Sequence, residues 1–234
     1  MTPLESKAAL SIVADDAADT IEWTLRRTSG SFENRRLQLL ESGESIIGYY
    51  SQGSAALAVD FYEEKRANAR ATGRFAAEPV ILDRVVKIRR GIAWASEPLS
   101  IDDDAAALSR LAEIVKSEVV RPYRSTILEA RRRDPESAGW MRLASASSCG
   151  FCKMLAAKGA VYKKATATFA AHDSCKCTAV PMFNGEQLGP EASAIQYIAS
   201  GRRRTAKENQ AVREWVAAEY PEELDRRHVK TSSL

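Results

Sequence analysis

Apolar and polar residues alternate along the N-terminal half of the chain with the spacing of amphipathic helices. Thr2 offers a capping hydroxyl, a proline follows it, and Glu5 stands three residues after it, a combination that marks a helix start. The helix that begins here is predicted to run to about Arg27. The sequence Thr-Ser-Gly-Ser at residues 28–31 then ends it.

The next apolar residues predict two further helices and one ambiguous segment. We expect a helix from Phe32 that stops before Gly43, and another that stops by Gly73. Residues 78–94 are β-branched and too densely apolar for periodicity to separate a buried strand from a buried helix, and we favour a helix. The apolar residues near helical spacing that should enter the core are Leu37, Leu40, Leu57, Phe61 and Tyr62.

A longer helix is predicted from Ser100, which precedes an isoleucine and three aspartates that suit a first helical turn. Pro122 should kink or divide this helix. The arginines at 131–133 suit a solvated last turn, and contact with phosphates or an acidic partner is the alternative; the same choice applies to 202–204. The apolar face has the spacing 3, 4, 4 and consists of Leu108, Leu111, Val115 and Val119.

The strongest chemical signal is a cluster of metal-ligating residue types. All four cysteines and one of the two histidines fall within residues 149–177: Cys149, Cys152, His172, Cys175 and Cys177. A Cys-x2-Cys pair and a second group of donors can complete a tetrahedral zinc site, and so many soft donors favour a closed structural site. Five donors compete for four positions, so either Cys175 or Cys177 is spare, or His172 lies outside the ligand shell. Disulfides and buried thiols are the alternatives, and disulfides would need an oxidising compartment, for which the N-terminus shows no signal peptide.

The residues around this cluster predict a small α+β unit that resembles a zinc knuckle. Residues 140–145 alternate like a strand, 153–158 suit a short helix, and 161–169 are expected to return in an extended form. Its own apolar residues are too few for a stable core, so the ion should supply much of the stability. We therefore predict a mainly α chain with a helical region at 1–139, the Cys/His unit at 140–183 and a helical tail at 184–234.

Charge and motifs limit the functions that fit. The net charge is only +3, and no apolar run is long enough for a membrane span. The chain lacks a phosphate-binding loop, a His-Glu-x2-His motif and the His-x-Glu of zinc deaminases, so we expect no enzyme and no small-molecule substrate. A metal-dependent nuclease or protease with an open coordination position is the weakest alternative.

Between Ala146 and Cys177 the charge is locally positive, with five lysines against one acid, Asp173. Thiolate ligands would offset part of this excess. The alternative function is therefore a zinc-stabilised module that binds nucleic acid through backbone phosphates. The lysines concerned are Lys153, Lys158, Lys163, Lys164 and Lys176.

Residues 140–183 also resemble the C-terminal motif of the phage Mu F-like minor head proteins, in the form found in tailed phages of actinobacteria. The ordered elements are Trp-Met-Arg-Leu-Ala-Ser, Cys-Gly-Phe-Cys, Leu-Ala-Ala-Lys-Gly-Ala-Val-Tyr, His-Asp-Ser-Cys-Lys-Cys and Pro-Met-Phe. Gly150 stands where a proline is common in the wider family, and Asp173-Ser174 stands where Pro-Asn is more frequent; both departures are at loop positions. The resemblance implies metal ligands at the four cysteines and His172.

The function that this resemblance implies is that of a minor capsid protein in the phage head, present in few copies. It would act in head assembly or in DNA packaging and delivery near the portal. The implied partners are the portal protein, the major capsid protein and phage DNA. The implied location is the virion, and the host cytoplasm during assembly.

Overall fold

The computed structural model describes residues 1–144, Ala156 and residues 177–183. Within these residues the prediction of a mainly helical chain is confirmed, and a two-stranded sheet accompanies the helices. In chain order the elements are α1 (Pro3–Arg27), α2 (Phe32–Asn68), α3 (Val85–Ala95), a 3₁₀ helix (Glu97–Ile101), α4 (Asp104–Arg133), β1 (Ser137–Leu143) and β2 (Thr178–Phe183). The tail predicted at 184–234 lies outside the described residues.

The helix starts that the sequence marks most clearly are confirmed. The backbone N–H of Glu5 donates to the Thr2 hydroxyl at 3.2 Å, and the N–H of Thr2 donates to the Glu5 carboxylate at 2.6 Å. This reciprocal capping box satisfies two backbone donors that a helix end leaves open. Ser31 caps α2 in a similar way, by accepting from the N–H of Asn34 at 3.4 Å.

The prediction of two helices between Phe32 and Gly73 was wrong, because α2 is one helix of 37 residues that runs through Gly43. Gly43 is buried where α3 crosses α2: a Cβ at this position would lie 2.7 Å from the Cδ1 atom of Ile92. The glycine therefore serves close helix packing and not helix termination. Gly53, farther along the same helix, faces open space, because a Cβ at that position would have no neighbouring atom within 4 Å.

Three other predicted boundaries also differ from the structure. Residues 78–84 are not helical, and α3 covers only the second half of the segment for which we favoured a helix. Ser100 lies in the 3₁₀ helix, and the residue that caps α4 is Asp103, whose carboxylate accepts from the N–H of Ala106 at 2.9 Å. Pro122 does not divide α4, which continues to Arg133.

The three long helices pack against one another, and their buried side chains form two clusters. The cluster at the sheet end joins α1, α2 and α4 to both strands and contains Leu10, Ala58, Phe61, Tyr62, Tyr123, Ile127, Ala130, Trp140, Ala179, Val180 and Phe183. The cluster at the other end includes α3 and contains Ala14, Ala17, Ile21, Leu25, Leu39, Ile47, Ile92, Ala95, Leu99, Ala107, Leu111, Val115 and Val119. The predicted core residues Phe61 and Tyr62 are buried, whereas Leu37 is exposed.

The sheet is held against the helices mainly through β2. The two strands are antiparallel, with Ser137 opposite Phe183 at one end and Leu143 opposite Thr178 at the other. Every residue of β2 is buried, and the strand packs against α4 and α2. An isolated pair of strands is only marginally stable, so the helices supply most of the support for this one. None of the helices in the described part of the chain is long and apolar enough to cross a membrane.

Candidate functional site

The sheet fixes both ends of the segment that contains the Cys/His cluster. Because Leu143 pairs with Thr178, the chain leaves β1 and re-enters β2 at the same place. The donors predicted at Cys149, Cys152, His172 and Cys175 lie outside the described residues, as do the lysines of the predicted DNA contact. Cys177 is the donor whose surroundings the structure gives, and it comes directly before β2.

Cys177 is fully buried and is contacted by two arginines. The Nε–H of Arg124, from α4, donates to its carbonyl oxygen at 2.9 Å, which holds the backbone where the chain enters the strand. An Nη1–H of Arg142, from β1, donates to its sulfur at 2.9 Å. A guanidinium beside a cysteine sulfur favours the thiolate, which is the form that binds metals. The sequence prediction named the sulfur but neither arginine.

The surroundings of Cys177 fit a structural zinc ligand. Metal-bound thiolates accumulate negative charge, and hydrogen-bond donors outside the ligand shell orient them and offset that charge. Arg142 is only 3% exposed and already directs a donor at the sulfur. Within residues 1–144 and 177–183, no group of three or more His, Cys, Asp or Glu side chains is placed to hold a metal ion. A site that uses Cys177 would therefore take its other ligands from the segment between the strands.

The sheet end of the bundle buries an unusual amount of positive charge. Four arginines from α2, α4 and β1 are almost inaccessible, and one carboxylate, Asp134, is buried with them. These arginines are Arg66, Arg124, Arg131 and Arg142. Buried charges are normally paired or hydrogen-bonded. Arg66 pairs with Asp134, and Arg124 and Arg142 both donate to Cys177.

Asp134 organises the turn that leads from α4 into β1. Its carboxylate accepts from the Nε–H of Arg66 at 3.0 Å, from the Tyr62 hydroxyl at 3.2 Å and from the backbone N–H of Glu136 at 3.0 Å. Burial, and then the negative charge of Asp134, raise the pKa of the Tyr62 hydroxyl. Tyr62 therefore stays protonated and keeps its donor directed at the carboxylate. The network fixes the angle at which β1 leaves the helix.

The predicted solvated arginine run at 131–133 is only partly correct. Arg131 is buried, and desolvation lowers the pKa of its guanidinium. Arg132 pairs with Glu129 one turn earlier, and Arg133 pairs with Glu78 in the segment before α3. Since two of these cations have carboxylate partners within the chain and the third is buried, the run does not form a continuous basic patch.

Part of this arrangement had a signal in the sequence. Residues on one face of a strand alternate, and Arg142 shares the buried face of β1 with Trp140. The alternation that predicts the strand could therefore have placed Arg142 inside. Arg66 and Arg124 had no comparable signal, because their burial depends on elements that are distant in the sequence.

Comparison with known protein families identifies a match over most of the chain. The family model described as VG15 protein, which represents a family of viral (phage) proteins, matches residues 4–200 of the 234-residue chain. The matched range includes α1 from Leu4 onward, α2, α3, α4, both described strands and the segment between them. No curated protein and no solved structure shows a significant match. The chain belongs to the VG15 protein family.

Proposed function

We propose that the protein is a minor head protein of a tailed phage, with an assembly role and no enzymatic activity. Its membership in a phage protein family over most of its length supports this proposal. The ordered resemblance of residues 140–183 to the Mu F-like minor head proteins supports the more specific role. The expected partners are the portal protein and the major capsid protein, in the virion and in the host cytoplasm during assembly.

The observation that carries the proposal is the junction between the strands and the Cys/His segment. A buried two-stranded sheet holds both ends of that segment against a rigid helical bundle, and Cys177 lies at the junction with Arg142 bonded to its sulfur. In the proposed function, zinc binds Cys177 and three of the four donors at 149, 152, 172 and 175. The folded unit then docks on the portal vertex or the inner capsid wall.

Metal analysis of the purified full-length chain tests the zinc part of the proposal. We expect about one zinc per chain, and a lower melting temperature after treatment with a chelator. Cys149→Ser and Cys152→Ser should each remove the metal. Cys177→Ser should remove it as well, and comparing Cys175→Ser with His172→Ala identifies the spare donor, because only a true ligand is needed for binding. Less than about 0.3 equivalents, with unchanged melting after chelation, would reject the zinc site.

Mass spectrometry of purified phage particles tests the head role separately. The chain should copurify with DNA-filled heads, in few copies relative to the portal subunit. A phage in which translation of this chain is interrupted should produce heads that are misassembled or empty of DNA. Normal titres of infectious particles without the chain would overturn the proposed role, whatever the metal content.

Binding of duplex DNA is the second candidate, and the local excess of lysine between residues 146 and 177 favours it. Contacts to phosphates release counterions, so affinity should fall steeply as salt rises. The double variant Lys163→Gln and Lys164→Gln should weaken binding and reduce the salt slope by about two. Unchanged binding in this variant, or no binding at about 150 mM salt, would reject DNA binding through these lysines. The structural role would then be the remaining candidate.

A further inference from the structure

The outward face of α1 combines apolar and acidic side chains in one stripe. Ile12, Asp16, Asp19 and Trp23 follow one another at intervals of 4, 3 and 4 residues, which places them on one face of the helix. Ile12 is 62% exposed and Trp23 is 61% exposed. Among the described residues, neither aspartate has an ion-pair partner. We call these four residues the acidic stripe.

The outward face of α3 has the opposite charge. Val86, Lys87, Arg90 and Trp94 lie within about 100° of one another around the helix axis. Val86 is 63% exposed and Trp94 is 49% exposed, and α3 contains no acidic residue. Lys87 and Arg90 have no carboxylate partner within the part of the chain that the structure describes, whereas Arg89 pairs with Glu44 of α2 at 3.0 Å. We call Val86, Lys87, Arg90 and Trp94 the basic stripe.

The two stripes lie on different sides of the bundle. Ile114 of α4 packs against Gly91 of α3, while Lys116, two residues later, pairs with Asp15 of α1. Successive residues of an α-helix are rotated by about 100°, so α1 and α3 contact α4 from directions roughly 200° apart. One molecule therefore cannot bring its own stripes together. Two copies can.

We propose that the acidic stripe of one copy of this chain docks on the basic stripe of the next. The stripes match in length, at roughly 16 Å along α1 and roughly 12 Å along α3. Each has two charges that lack a described partner, and each has an exposed apolar residue and a tryptophan at its ends. DNA or an acidic protein would match the basic stripe only. A second copy matches both, and burial of the apolar ends supplies the attraction that charge alone does not.

Such a contact joins different surfaces of the two copies. A repeated contact of this kind produces a closed ring when the rotation between copies closes, and an open filament when it does not. It involves α1 and α3 only, so it is independent of the zinc site and of the proposed head role. The zinc and head-role experiments can refute those two proposals without refuting this contact. The association experiment can likewise refute the contact without refuting the zinc site or the head role.

Charge reversal with complementation tests the proposal on the full-length chain. The first variant carries Asp16→Lys and Asp19→Lys, and the second carries Lys87→Glu and Arg90→Glu. Sedimentation velocity should show concentration-dependent association of the wild type, and each variant alone should weaken it on the order of tenfold or more. Because the reversed stripes attract each other, a 1:1 mixture of the two variants should restore association.

The mixing experiment shows whether a second copy or another segment of the same chain covers each stripe. If another segment of the same chain covers a stripe, mixing the two variants restores nothing, and the proposal is overturned. A wild type that stays monomeric at about 100 µM, well above a typical weak Kd, also overturns it. The matched control is Asp60→Lys, which reverses an exposed carboxylate of α2 outside both stripes and should leave association unchanged.

Discussion

Replacing Arg142 with methionine tests the most specific contact in the proposed metal site. The substitution removes the N–H that points at the sulfur of Cys177 and keeps an unbranched apolar side chain of similar reach. Donors outside the ligand shell typically change metal affinity by about 10–100-fold, which corresponds to about 1.4–2.8 kcal/mol. The guanidinium is charged and 3% exposed, so we expect the upper half of this range, about 30–100-fold weaker zinc binding.

Arg124 provides the matched control within the same site. It is 7% exposed and also contacts Cys177, but through the carbonyl oxygen and not through the sulfur. Arg124→Met therefore removes a buried cation beside the same residue without removing the N–H to the sulfur. We expect this variant to lose stability and to keep zinc affinity within about threefold of the wild type, since the sulfur keeps its donor.

Competition with a chromogenic chelator at neutral pH measures the affinities of the wild type and both variants. Circular dichroism of each metal-loaded protein verifies that the helical bundle is folded, so that a misfolded sample is not counted as weak binding. Arg142→Lys should recover part of the loss, because it restores a charged N–H donor. Equal affinities for Arg142→Met and Arg124→Met would refute the assignment of Arg142 as the residue that supports a Cys177 thiolate ligand.

Three further predictions concern stability. Gly53→Ala should raise the free energy of unfolding by up to about 1 kcal/mol, because alanine favours the helix and its methyl group meets open space. Gly43→Ala should not raise the free energy of unfolding, because its methyl group meets Ile92. Asp134→Asn should cost about 3–5 kcal/mol by removing the closer of the two carboxylates paired with buried Arg66, and Glu136→Gln under about 1 kcal/mol; similar losses in denaturant titrations would contradict this. A hydrogen bond from Arg35 lowers the pKa of Asp104. Asp104→Asn should thus cost under about 1 kcal/mol at pH 7, and its difference from wild type should shrink below about pH 4 as the carboxylate is protonated.

Local signals in the sequence predicted the starts of α1 and α2 but not the helix interiors. The capping box at Thr2 and Glu5 involves neighbouring residues, so it can be recognised without tertiary structure. Gly43 was interpreted as a helix end, and Pro122 as a kink or a division, because both residues weaken an isolated helix. In the folded chain, Gly43 allows α3 to approach closely, and α4 continues through Pro122 under the support of packing on several sides. Tertiary contacts overrode the local preference at both positions.

The charges at the sheet end could not be predicted for a similar reason. The sequence interpretation favoured a solvated last turn for the arginines at 131–133 and made no prediction of burial for the other arginines of this end. Arg66 and Arg124 come from separate elements, and their burial appears only when α2, α4 and the sheet converge, whereas the alternation of β1 carries a signal for Arg142. The Cys/His spacing predicted a ligand at Cys177 but contained no information on which cations would surround it.

The metal-binding segment and the tryptophan ends of the two stripes are associated with different core clusters, so each can function without the other. Cys177 directly precedes β2, whose residues belong to the cluster with Trp140 and Phe183, whereas Trp23 and Trp94 come two residues after Ile21 and Ile92 of the other cluster. Because helices pass between these ends as continuous packed elements, loss of metal should affect the segment between the strands and leave α1 and α3 in place. Copies could then associate through the helical end before or after the metal-bound end docks on a partner. From this separation we expect a chelator to remove the zinc and to leave the sedimentation of the associated copies unchanged. Dissociation of the copies on chelation would show that the two ends are coupled.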